Sequence, residues 1–124
     1  MTLTNNTVSS NLPLAPSITG SGAITSWELN NTNLPTGISF GSTNGTLYGT
    51  ATQLWARTSY MVWANNSGGS VVAHFNLSVN DQVPTVSYSS TILILTNNTA
   101  SADLPHAPSI TGSGEITSWE INAT

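Results

Sequence analysis

The chain has 124 residues with five acidic side chains, one basic one and no cysteine, giving a formal net charge of −4 and a charged fraction of 5% against about 25% in ordinary soluble domains. A nucleic-acid duplex or an anionic membrane surface is held by clustered Lys and Arg, so a chain whose only base is Arg57 is excluded from both kinds of partner. The longest unbroken aliphatic run, Ile92 to Leu95, falls far short of the ~20 residues a spanning helix needs, so no membrane insertion is expected.

Taken in chain order, residues 23–30 read as the first strand. Ile38 to Phe40 and Thr46 to Gly49 read as the next two, separated by "GSTNG", whose Asn and Gly suit a tight turn. Thr58 to Ala64 follows, with Tyr60, Val62 and Ala64 as its inward set. The turn "NNSGGS" at 65–70 leads into the clearest strand of all, in which Val71, Ala73, Phe75, Leu77 and Val79 alternate with Val72, His74, Asn76 and Ser78. A period of two places one set on a core and the other in water. Segment 84–96 is rich in β-branched residues and reads as a further strand. Gly, Pro and β-branched residues interrupt every window of about 11 residues that could carry a helix. Short strands with turn signals at this density predict an all-β chain, an antiparallel β-sandwich.

The chain also repeats itself. Residues 2–32 align without a gap onto 94–124 at an offset of 92, with 23 of the 31 positions identical, among them Leu3 with Leu95, Ile18 with Ile110 and Trp27 with Trp119. A period of this length matches one sandwich domain of ~100 residues rather than a solenoid turn. The predicted organisation is one full repeat of 92 residues and the first third of the next. Residues 2–80 form a repeat that lacks its first strand, and 81–124 form a linker and the N-terminal half of a second repeat.

The stretch "LPTGISFGSTNGTLYGTATQ", residues 34–53, resembles the signature of the immunoglobulin-like repeats of bacterial and archaeal surface proteins, which are similar in turn to dystroglycan-type cadherin-like domains. Leu34, Pro35, Gly37, Ile38 and Phe40 match its first half, and Asn44, Gly45, Leu47, Gly49 and Thr50 its second. Ala51 stands where that family usually has proline. "YMVWANNSGGSVVAHFNLSVND" at 60–81 is similar to the family's closing hairpin. The resemblance implies an immunoglobulin-like β-sandwich in a cell-surface or secreted setting. It implies little about activity, because such sandwiches serve as spacers, adhesive modules and appendages of enzymes.

Catalysis needs a polar constellation that this inventory does not supply. His74 and His106 are the only imidazoles, and both read as solvated side chains, so no enzyme activity and no catalytic residue are expected. For calcium, "VND" at 79–81 is similar to the linkers in which cadherin-like repeats place the ion. Asn80, Asp81 and Asp103, with Glu28 as a further candidate, could supply oxygen ligands. Trp55, read as part of a loop "QLWAR", could stack on a sugar ring. Asn5, Asn30, Asn44, Asn65, Asn76, Asn97 and Asn122 each begin an Asn-x-Ser/Thr sequon, the acceptor pattern for surface N-glycans.

The expected function is a non-catalytic structural module of an extracellular stalk, adhesin or filament, and the alternative is a glycan- or calcium-dependent binding module. The expected partners are copies of the chain or neighbouring repeats, and surface glycans. The empty slot of the first repeat has two structural solutions: residues 84–93 fold back into it, or a neighbouring molecule completes it by strand complementation. A piece cut from a longer tandem array is the third reading.

Overall fold

The computed structural model describes residues 1–112 and 114–123, and among them every regular element is a β-strand. The strands are β1 (Thr2–Thr4), β2 (Ser26–Leu29), β3 (Ile38–Phe40), β4 (Leu47–Gly49), β5 (Trp55–Asn66), β6 (Gly69–Asn80), β7 (Thr85–Ser87) and β8 (Ser109–Thr111). The chain divides into two compact units, Met1–Gln82 and Val83–Thr124. No helix among the described residues is long and apolar enough to cross a membrane.

Unit 1 is organised by the β5–β6 hairpin, two strands of 12 residues each that turn at Asn66–Gly69. Their register faces Tyr60 with Phe75, Val62 with Ala73 and Ala64 with Val71. Strand β2 extends the sheet antiparallel beside β5, and β1 closes the other edge against β6, giving the order β1-β6-β5-β2. The β1–β6 pairing is parallel, Leu3 opposite Val79, so the sheet is mixed where an antiparallel one is expected. Parallel neighbours need a long crossover, and the whole of the intervening chain supplies one.

Strands β3 and β4 form a second layer, extended by a bridge between Leu14 and Leu47 with mutual backbone bonds of 2.8 and 3.0 Å. Ile38 and Leu47 of this layer meet Leu3, Tyr60, Leu77 and Val79 of the larger sheet in one buried cluster. Alternation therefore works as expected along the lower half of the hairpin: Leu77 and Val79 are buried while His74 and Asn76 are exposed. It fails along the upper half. Val71 and Ala73 share the face of Leu77 but are exposed, Val71 at 68%, because the second layer does not reach them. Val71→Ala should change stability by no more than about 0.5 kcal/mol, whereas Val79→Ala should cost about 2 kcal/mol. Urea titration of the two variants checks the contrast.

Tyr60 is the largest fully buried side chain. Its hydroxyl donates to the Asn33 carbonyl at 2.9 Å, and its ring stacks on Phe75 with centroids 5.1 Å apart. A buried phenol needs such a partner for its polar end. The motif at 34–50 owes two of its glycines to close packing. A Cβ at Gly45, where φ is 68°, would fall 2.6 Å from the Trp27 ring. One at Gly49, where φ is 119°, would fall 2.1 Å from the Gly37 carbonyl oxygen.

In the second unit β7 and β8 pair antiparallel, Val86 opposite Ile110. The internal repeat extends to backbone conformation: Asn6 and Asn98 have φ of 53° and 56°, and Gly20 and Gly112 both have 99°. The copies differ where unit 1 relies on its hairpin. Ser26–Leu29 is a strand and Trp27 is 9% exposed, whereas residues 118–121 form no strand and Trp119 is 57% exposed. Likewise Leu3 is 3% exposed beside β6, and its counterpart Leu95 is 50% exposed. The strand expected over 84–96 is accordingly only Thr85–Ser87, because no neighbouring strand among the described residues pairs with Ile92 to Leu95.

Candidate functional site: an open groove on unit 1

The failure of alternation on β6 leaves a groove of about 580 Å³ on the outer part of the large sheet. Trp27 from β2, Val62 and Ala64 from β5 form its floor, all three nearly buried and packed together with Ile24 and Phe75. Val71 and Ala73 continue this floor along β6, and the segment Pro16–Thr19 forms the rim. Ile18 at that rim is 59% exposed. No Asp, Glu, His, Lys, Arg or Cys lines the groove. Its chemistry is confined to apolar contact and to hydrogen bonding by backbone, hydroxyl and the Asn66 amide, which suits an uncharged, largely apolar occupant.

The residues singled out in the sequence lie elsewhere. Asn80 ends β6, exposed, and its carbonyl accepts the Asn5 amide at 2.8 Å. Asp81 Oδ1 accepts the amide of Gln82 at 2.9 Å, a local turn contact of the kind Asp favours. Asp103 belongs to the second unit, exposed, where its amide donates to Ser101 Oγ at 3.1 Å. Glu28 accepts from Asn65 Nδ2 at 3.2 Å. Among the described residues no three acidic, histidine or cysteine side chains come together as a metal-holding group.

Trp55 is not in a loop. It opens β5 opposite Val79, half-buried against the main core, with its indole nitrogen enclosed and unpartnered. A register shift between Trp55 and Thr58 hides this strand from a search for alternation, since a bulge resets the phase. His74 is exposed as expected, whereas His106 stacks on Tyr88 with centroids 5.2 Å apart and lies 3.2 Å from the Ser90 carbonyl.

The sequons separate by access. Asn30, Asn44, Asn76, Asn97 and Asn122 are exposed. Asn5 is half-buried with its side-chain oxygen enclosed, and Asn65 uses Nδ2, the atom a glycan would occupy, to bond Ser26 and Glu28. Expression in a host that attaches N-glycans should therefore modify the five exposed positions well ahead of Asn5 and Asn65, which peptide mapping by mass spectrometry checks.

Ile18 and Val71, which frame the groove, were not evident as site residues from the sequence. Val71 carries the pattern of a core position, and only the reach of the facing layer decides its fate. The signal for Ile18 lies in the repeat, whose second copy pairs the equivalent Ile110 with a strand.

A two-layer all-β unit with a buried inter-sheet core and a tandem copy of its own opening third defines an immunoglobulin-like β-sandwich module. The family described as "Putative Ig domain" matches residues 2–80, more than half of the chain, and the chain belongs to that family. Comparisons with curated proteins and with solved structures found no match.

Proposed function

We propose that the chain is a non-catalytic structural module of an extracellular or cell-surface tandem-repeat protein, a stalk, adhesin or filament subunit, that spans distance and packs against copies of itself. The observation that carries this reading is the repeat: 23 identities in 31 positions at a constant offset of 92, in a chain that belongs to an immunoglobulin-like family. Nearly charge-free surfaces support it, because hydroxyl and amide groups hold water with little sensitivity to salt or pH. So does the composition of the groove, which offers contact area and no reactive group.

Protease shaving of intact producing cells tests the setting, and the surrounding reading frame tests the array. Peptides of this chain should appear before lysis, and further copies should recur at the same spacing. Release only after lysis, from a gene with no further copies, would overturn the proposal.

A further inference from the structure

We propose that the groove of unit 1 accepts the segment Thr85–Ser87 from a second copy of this chain, added as a strand antiparallel to Ser17–Thr19 with Val86 opposite Ile18. The inference rests on the reading of the chain as a repeat module and names the contact through which copies join.

The register comes from the second unit. There β8 pairs with β7 through Thr85 with Thr111, Val86 with Ile110 and Ser87 with Ser109. Moving the β8 positions back by the offset of 92 gives Thr19, Ile18 and Ser17, identical residues in each case. The exit from both segments is the same, Gly20 and Gly112 at φ 99°. Ser17–Thr19 nevertheless belongs to no strand and makes no backbone hydrogen bond among the described residues. Unpaired backbone groups along such an edge invite an added strand.

The groove also suits the side chains. Neither its lining residues nor residues 82–90 carry an ionisable charge, so nothing repels the pairing and no ion is desolvated. In the second unit every residue of β7 and β8 is exposed, so the three pairs of that ribbon bury little apolar surface. A two-stranded ribbon of this kind is marginal in water. Beside Ser17–Thr19 the same three pairs can form next to Val62, Ala64, Val71 and Ala73. The exchange keeps the ladder and adds apolar burial, which sets its direction. Donor and acceptor are different surfaces, so repeated exchange gives an open filament or a ring, and reciprocal exchange gives a dimer.

The chain has no native cysteine, which makes a directed disulfide test clean. Ile18→Cys and Val86→Cys are made as separate single variants, both at exposed positions, then mixed and oxidised gently. The heterodisulfide between position 18 of one chain and position 86 of another should predominate over both homodisulfides. It should be lost when the acceptor also carries Ala73→Arg. A mixture that yields only homodisulfides or monomers, while far-ultraviolet circular dichroism shows intact strand, overturns the groove contact and leaves the module reading standing. Loss of the strand signal in the parent chain would instead count against that reading.

Discussion

Tyr60→Ala is expected to remove about 3–5 kcal/mol of stability, the cost of emptying a large aromatic site in a packed core. For the 82 residues of unit 1 the whole folding free energy is of order 4–12 kcal/mol, so the substitution would remove from about a quarter to all of it. The effect is large because Tyr60 has no exposed surface and touches both layers, with Phe75 stacked on its ring and the Asn33 carbonyl on its hydroxyl. Tyr60→Phe keeps the ring and removes only the hydrogen bond, which should cost about 1 kcal/mol. Guanidinium titrations of both variants separate ring from hydroxyl. A loss below about 1 kcal/mol for the alanine variant would mean that the site collapses, contrary to close packing.

Gly49→Ala is the second large effect. The added methyl would sit 2.1 Å from the Gly37 carbonyl oxygen, which already accepts the Thr50 amide at 3.1 Å. Backbone strain at a φ of 119° contributes about 1–3 kcal/mol, and the overlap about 1–3 kcal/mol more as β3 and β4 are pushed apart. Gly69→Ala provides the control, since its φ is 135° but nothing lies within 4 Å of the new Cβ. It should bear the conformational cost alone. Equal losses at the two positions in thermal melts would show that φ, and not the close approach of two backbones, explains the motif glycines.

How much of this was legible beforehand differs from element to element. The lower half of β6 and the motif from Leu34 to Thr50 are legible because local pattern and tertiary environment agree there: alternation meets a facing layer, and turn residues meet tight turns. β1 was missed because three residues carry no period, and its place is set by a parallel partner more than seventy positions away. Trp55 was misplaced by a bulge, and Val71 by the assumption that every strand is covered along its full length. Ile92 to Leu95 has every intrinsic mark of a strand, yet Ile94 is 84% exposed because β-propensity expresses packing against neighbouring strands, and none among the described residues pairs with this segment. The groove was not legible in the sequence, whose repeat raises only the expectation of an unfilled slot. Which side chains would frame it did not follow, since that depends on how far one sheet overhangs another.

The most direct test of the account compares the two copies of one tetrapeptide. Ser26-Trp27-Glu28-Leu29 pairs with β5, while Ser118-Trp119-Glu120-Ile121 has the same local preferences and no strand partner among the described residues. Amide hydrogen exchange followed by NMR on dilute protein should show strong protection at Trp27 and Asn30, whose amides donate to the Ser42 and Met61 carbonyls at 3.2 and 3.0 Å, and near-unfolded rates at Trp119 and Asn122. Equal protection in both copies would contradict the claim that the β5–β6 hairpin is what turns this repeat into a folded module.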